Sequence, residues 1–320
     1  MNIFDASETI PLIKKPVLTI GTFDGVHIGH QKIISRINKS AKEIGGESVL
    51  FTFYPHPRTV IFPDDDNLRL LQTQEEKLAK LKRFGLDNVV IYPFTKEFSR
   101  LSATHFVRDC LVNQIGAVKI VIGYNHQFGK NREGSLEQLR ELAPIYGFEV
   151  EEIPAQEIDE VNVSSTKIRN ALLSGEIATA NKFLQEPFQL NGVVEHGKAL
   201  GRTIGFPTAN ISIDNKLKII PKTGVYFVRC SVDNIAYFGI MNIGFRPTVG
   251  DQNAEKPSIE VNIFDFKGDI YGKSMCVELL EYLREEQKFD SLESLKNQIR
   301  QDEIKARTIS IHYTLELYSL

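Results

Sequence analysis

Up to about residue 184 the sequence alternates between two periods, and that alternation limits the fold more than any other feature. Short runs read as strands: PVLTIG (16–21), SVLFTFYPHP (48–57), NVVIYPF (88–94), AVKIVIG (117–123) and FEVEEIP (148–154). The second is stopped by its prolines, which cannot donate to a ladder. Helical stretches separate these runs: one ending near Gly45, TQEEKLAKLKRFG (73–85), SATHFVRDCLVNQIG (102–116), SLEQLRELAPIYG (135–147) and SSTKIRNALLSGEIATANKFL (164–184). In the second of them Leu78 and Leu81 share a face and Gly85 is a C-terminal stop. Strand–helix alternation of this kind predicts a parallel sheet with helices on both faces.

After about Gln185 the period shortens to two. GVVEHG, GVYFVRC, AYFGIMNIG, SIEVNIFDF and SMCVELLEYL alternate in strand fashion between turns, which predicts a small antiparallel barrel or sandwich. DSLESLKNQIRQDEIKARTI (290–309) then reads as an amphipathic helix, with Asp290 as N-cap, Glu293 three residues on, and Leu292, Leu295 and Ile299 as its stripe. The expected domains are 1–185 and 186–320.

A chain of 320 residues can bury two separate cores. Its 42% hydrophobic and 25% charged residues are those of an ordinary globular protein, and a net charge of −3 does not favour a nucleic-acid or membrane surface. No apolar stretch approaches the ~20 residues of a membrane-spanning helix. MNIFDASETIPLIKK has neither a basic leader nor an apolar core, so no signal peptide is expected. Cys110, Cys230 and Cys276 are far apart and form no C-x-x-C pair, which fits a reduced cytoplasmic protein.

Two strings carry the candidate chemistry. In TIGTFDGVHIGHQKII (19–34) a glycine turn follows a buried strand, and a helix is expected to begin near Val26–His27. His27 and His30, three apart, then point at one spot beside free N–H donors, which suits an anion. Gly21, Gly25 and Gly29 let a ligand approach the backbone. A metal pair or two surface histidines would fit H-x-x-H alone, but a zinc site would want further ligands and only Asp24 is near. In HGKALGRTIGFPTANI (196–211) glycines recur every four residues, matching neither G-x-G-x-x-G nor the P-loop, and P-T-A-N by itself is a turn. GDIYGKS (268–274) has too few residues between its glycines for a P-loop and reads as a hairpin turn. SIEVNIFDF puts Ile259, Val261 and Ile263 on one side of a strand, with Glu260 and Asn262 on the other.

GTFDGVHIGH resembles the nucleotidylyltransferase superfamily and, more narrowly, the adenylyltransferase half of bifunctional bacterial riboflavin kinase/FAD synthetases. VSSTKIRNALLSG (163–175), IGYNHQFGKNREGS (122–135) and FYPHP (53–57) are similar to further segments of that half, with His56 structural. GFPTAN (205–210), NIGFRPTVG (242–250) and YLREEQKFDSLESLKNQI (282–299) resemble the riboflavin kinase half. The resemblance implies a Rossmann-like α/β nucleotidylyltransferase domain followed by a small antiparallel β-barrel riboflavin kinase domain with a C-terminal helix. It implies phosphorylation of riboflavin to FMN, with ADP released, and adenylylation of FMN to FAD, with pyrophosphate released. ATP would be co-substrate of both steps, and Mg²⁺ the cofactor.

Residue by residue, the resemblance assigns His27, His30 and Arg169 to charge stabilisation in adenylyl transfer and Glu260 to the kinase as base. It implies nucleotide contacts at Gly21, Phe23, Asp24, Asn125, Ser164, Ser165 and Thr166 in the first half. In the second half the nucleotide contacts are Gly197, Gly201, Arg202, Gly205 and Pro207. Thr208 and Asn210 would hold the metal, and Arg284 the flavin unless it serves as a surface salt-bridge partner. A cytoplasmic monomer or weakly self-associating protein, without nucleic-acid or membrane partners, is expected. An aminoacyl-tRNA synthetase fragment would also carry HIGH but needs a K-M-S-K-S loop, which this chain lacks. A flavin-storage protein without turnover would leave His27, His30 and Glu260 dispensable for ligand retention.

Overall fold

The computed structural model describes residues 1–123, 126–154, 163–197, 201, 204–233, 235–245 and 257–317, with the last four of these as helical backbone. The chain divides into two compact units, Met1–Lys167 and Ile168–Leu320. That division precedes helices Ser165–Ser174 (all but its first turn) and Ile177–Leu184, which the expected boundary at 185/186 assigns to the first domain.

The first unit is built on six parallel strands: β1 (Asn2–Asp5), β2 (Pro16–Ile20), β3 (Glu47–Tyr54), β4 (Asn88–Pro93), β5 (Lys119–Gly123) and β6 (Glu149–Ile153). Their order is β1-β4-β3-β2-β5-β6. Neighbouring residues of one strand enter opposite cores. Leu18, Val49, Phe51, Val90 and Ile122 pack on one face with Phe106, Leu111, Leu136 and Leu139. Val17, Leu50, Val89 and Val121 pack on the other with Ile34, Ile37, Ala41 and Leu81. Both faces are therefore covered, which is why these strands read as continuous apolar runs.

β1 has no counterpart in the sequence reading. It is a largely exposed four-residue edge strand, held in register by pairing with β4 and by a 2.9 Å hydrogen bond from Asn2 to Asn88. The segment 102–116 opens as a short α-helix, Ala103–His105, and continues as π-helical turns over Phe106–Gln114. The stretch read as one helix over 164–184 is two, broken at Gly175, whose φ of 83° ends the first.

The second unit is a closed antiparallel barrel, ordered β10-β11-β8-β7-β12-β9. Its strands are β7 (Phe188–Glu195), β8 (Ala209–Ser212), β9 (Gly224–Val232), β10 (Ile235–Gly244), β11 (Ser258–Ile263) and β12 (Ser274–Arg284). Closure leaves no open edge. β8 begins inside the string that by itself reads as a turn. Residues 268–273 lie in the connection that ends at β12, whose first residue is Ser274; β11 and β12 are not neighbours, so the string forms no hairpin.

The C-terminal helix (Leu292–Leu317) is capped by Ser291, whose Oγ accepts from the Ser294 N–H at 3.1 Å, one residue later than expected. Of the expected stripe Leu292 is exposed, while Ile299 packs with Ala306, Ile309 and Tyr313 against Val225, Phe227, Ile240 and Leu283.

Candidate functional site

In the first unit the winding direction of the sheet reverses between β2 and β5. A crevice outside the carboxyl ends of strands at such a point is where open α/β sheets bind ligands. β2 runs directly into Gly21–Val26, a loop that turns through left-handed backbone at Phe23 (φ 51°), Gly25 (φ 87°) and Val26 (φ 39°). Left-handed backbone at two non-glycine residues carries strain of the kind that surrounding structure must hold in place. The loop ends at His27, the N-cap of helix α1 (Ile28–Glu43).

His27 is buried and its Nδ1 accepts the His30 backbone N–H at 3.4 Å. That bond leaves the ring proton on Nε2. The His27 and His30 rings stack with centroids 3.7 Å apart, and Phe23 stacks on the far side of His30 at 4.5 Å. Nδ1 of His30 is buried with no hydrogen-bond partner in the described residues. Burial first, then the nearby His27, Lys80 and Lys77, hold the His30 pKa well below the ordinary histidine value. The His30 ring is therefore held neutral near neutral pH, an imidazole that can donate a hydrogen bond.

The other residues expected around the nucleotide of the N-terminal half divide between loop and helix. The Asp24 carboxylate accepts the backbone N–H groups of Leu71 (2.9 Å) and Gln72 (3.3 Å), so it anchors the loop. Ser164 caps helix Ser165–Ser174, accepting from the Lys167 N–H at 3.2 Å, and Ser165 Oγ donates to the Asp24 carbonyl at 2.9 Å. Thr166 is exposed in the same first turn, and Arg169 lies one turn beyond Ser165 in that helix. A Cβ at Gly21 would meet the Phe23 ring at 2.9 Å, and one at Gly29 the His27 ring at 3.2 Å. Asn125 lies outside the described residues.

Sequence reasoning missed two lysines. Helix α2 (Gln74–Arg83) does bury Leu81, but it also buries Lys77 and Lys80, three residues apart on that side. Lys77 Nζ donates to the Thr22 carbonyl and to Thr52 Oγ1, both at 3.2 Å; Lys80 Nζ donates to the Gly25 carbonyl at 3.2 Å. Burial, opposed by Asp24, lowers the Lys77 pKa to about 8. Their i, i+3 spacing was a signal, hidden because lysine is so rarely buried.

His126, three residues after β5, is half-buried, with its Nε2 buried and unpartnered in the described residues and its pKa lowered to about 4, first by desolvation and then by Arg132. A group that is neutral when folded and charged when unfolded makes stability fall as pH drops from about 6.5 to about 4. His126→Gln should accordingly flatten the loss of unfolding midpoint of the first unit across that window, read by urea unfolding at a series of pH values.

In the second unit, β8 and β11 pair antiparallel with Asn210 opposite Glu260, Glu195 opposite Asn210 on β7, and Asn242 opposite Glu260 on β10. Directly opposed residues share a face, so four strands contribute one polar row. Thr208 Oγ1 donates to Glu260 Oε2 at 3.2 Å. A hydroxyl whose proton is committed in this way presents its lone pairs elsewhere. Asn262 Nδ2 donates to the Pro207 carbonyl at 2.8 Å, tying the preceding turn to the same face of β11. The turn closes at Gly201, whose carbonyl accepts the Phe206 N–H at 2.8 Å, and Gly205 has φ 88°. A Cβ at Gly197 would overlap the Asn210 amide, so only glycine lets that loop lie so close. Arg202 lies outside the described residues. The side-chain oxygens of Thr208 and Asn210 are hard donors of the kind Mg²⁺ takes.

Arg284 continues the register of this row across two more strands, opposite Val225, which is itself opposite Asn242. Its guanidinium forks onto Asp302 of the C-terminal helix at 2.7–3.0 Å, and Asp302 is buried and also receives Gln298 at 3.0 Å. Asp302→Ala should destabilise the second unit by about 3–5 kcal/mol, measured by denaturant unfolding, because it strands a largely buried guanidinium.

The FAD synthetase family matches residues 10–167 and the riboflavin kinase family residues 184–310. A bifunctional riboflavin kinase/FMN adenylyltransferase of Bacillus subtilis is 36% identical over 294 residues, covering 91% of this chain and 92% of that protein. Its counterpart in Pseudomonas fluorescens is 38% identical over 294 residues, covering 92% and 93%. A crystal structure described as a macrolide-efflux protein from Streptococcus pneumoniae superposes with a TM-score of 0.86 at 32% identity, over 96% of this chain and 99% of that one. Among the described residues of this chain no helix is long and apolar enough to cross a membrane.

Proposed function

The chain belongs to the family of bifunctional riboflavin kinase/FMN adenylyltransferases, and from that premise we propose how each half performs its step. The N-terminal half adenylylates FMN. A phosphate oxygen of FMN bonds to the α-phosphorus of ATP, the bond to the bridging oxygen breaks, and pyrophosphate leaves. A phosphate is already a nucleophile, so positioning and charge stabilisation are what the protein supplies. His27, through Nε2–H, and His30 donate to the phosphate oxygens as charge builds on them. Arg169 is the cation for the triphosphate, with Gly21, Phe23, Asn125, Ser164, Ser165 and Thr166 around the nucleotide. Asp24 acts through the loop that it anchors to Leu71 and Gln72.

The C-terminal half phosphorylates riboflavin. The 5′-hydroxyl oxygen bonds to the γ-phosphorus of ATP, Glu260 takes the hydroxyl proton, and ADP leaves. Thr208 and Asn210 would hold Mg²⁺, which when bound offsets charge on the phosphoryl oxygens. Gly197, Gly201, Arg202, Gly205 and Pro207 form the nucleotide loop. Arg284, bound to Asp302, supports the flavin side by anchoring the C-terminal helix. The working boundary between the two activities is 185/186, and the protein acts in the cytoplasm as a monomer or weak self-associate.

The observation that carries this reading is the presence of two polar clusters, the stacked His27–His30 pair in one unit and the Thr208–Glu260 contact in the other. Incubation of the purified protein with riboflavin, ATP and Mg²⁺, with products separated over time, tests it. FMN should rise first and FAD follow; unchanged riboflavin would favour storage without turnover.

A further inference from the structure

Two ammonium groups are buried beneath the loop that carries His27. Lys77 and Lys80 lie on helix α2, whose start is fixed by a reciprocal cap between Thr73 and Glu76. Just before it, the Leu71 and Gln72 N–H groups hold the Asp24 carboxylate. The segment Leu71–Lys80 therefore grips Thr22–Gly25 at three places: the Thr22 carbonyl, the Asp24 side chain and the Gly25 carbonyl. Lys80 is only 1% exposed, and burying an ammonium group is unfavourable when methionine would occupy a similar volume. Both lysines donate to main-chain carbonyls of a left-handed loop, and Lys77 also to Thr52 Oγ1.

The geometry of a trans peptide gives those bonds a consequence. A carbonyl turned toward α2 turns the N–H of the same peptide plane to the opposite side. Lys77 thus sets the Thr22–Phe23 plane and Lys80 the Gly25–Val26 plane, with the Val26 N–H returned to the Phe23 carbonyl at 3.2 Å. Phe23 in turn stacks on His30, and Val26 leads directly to the His27 cap.

We propose that Lys77 and Lys80 are positioning residues for adenylyl transfer, holding the Thr22–Val26 loop from beneath so that His27 and His30 keep the stacked geometry that grips phosphate. This rests on the assignment of His27 and His30 to that step. Lys77→Met and Lys80→Met, singly and together, should lower kcat for FMN adenylylation by about 10- to 100-fold while KM for ATP moves less, since misplacement acts on the transition state. Phosphorylation of riboflavin by the same full-length protein should be unchanged. Lys77→Gln and Lys80→Gln, which keep an N–H donor, should recover part of kcat.

A purely structural role predicts another pattern: kcat follows only the folded fraction, read from thermal unfolding of each variant. The proposal falls if the folded double Met variant adenylylates FMN like the unaltered protein, or if all the variants unfold the first unit. A parallel His27→Ala/His30→Ala variant separates the two levels. If it stays active, the histidine assignment fails. If it is inactive while the folded Met variants are normal, only the role of the lysines fails.

Discussion

Glu260→Gln is expected to stop FMN formation while leaving conversion of supplied FMN to FAD intact. The loss should be about 10²–10⁴-fold, the usual contribution of a positioned base. The substitution is chosen for its shape. A glutamine amide oxygen can still accept the Thr208 hydroxyl, which now donates to Glu260 Oε2 at 3.2 Å, and it keeps its place opposite Asn210. What it cannot do is take a proton from the riboflavin hydroxyl. Separate assays with riboflavin and with FMN as starting material give the two rates. Loss of both activities in a folded protein would mean that the halves do not divide the work, and retention of the first would remove Glu260 from the kinase step.

Replacing both histidines should give the mirror image. His27→Ala with His30→Ala is expected to lower FAD formation from FMN by about 10²–10⁴-fold, since loss of one preorganised donor typically removes 10²–10³. Riboflavin phosphorylation should persist, because no residue of the barrel takes part in this change. His27 also caps α1, and loss of a cap destabilises a helix by about 1 kcal/mol. His27→Asn separates these effects: it retains a capping oxygen but loses the Nε2–H donor. If His27→Asn restored the rate, His27 would matter only as a cap.

The architecture was legible wherever burial was continuous. β2 to β5 announce themselves as apolar runs because alternate residues enter cores on opposite faces of the sheet, whereas β6, at the edge, carries three glutamates. β1 gave no such signal, since its four residues bury little and gain their place from pairing with β4. β8 was concealed for a related reason. It is only four residues long, and its start at Ala209–Asn210 is specified by partners on β7 and β11 that lie far away in sequence. The C-terminal helix stripe was legible at Ile299, which packs on the barrel, but not at its ends: Leu292 is exposed, and Asp302 is buried on the packed side to meet Arg284. Hydrophobicity cannot anticipate an ion pair on the packed side.

The sites divide in the same way. Short-range spacing alone determined that His27 and His30 meet, because a helix brings i and i+3 together whatever surrounds it. Motif order along the chain determined the family, and with it the pair of activities. Only the tertiary structure decided that Glu260 faces Asn210 across a ladder, that Arg284 is bound to Asp302, and that Lys77 and Lys80 lie under the Thr22–Val26 loop. Those are long-range contacts, set by how sheets close and helices pack. Nothing in the local sequence records which distant carbonyl or carboxylate a buried charge will find.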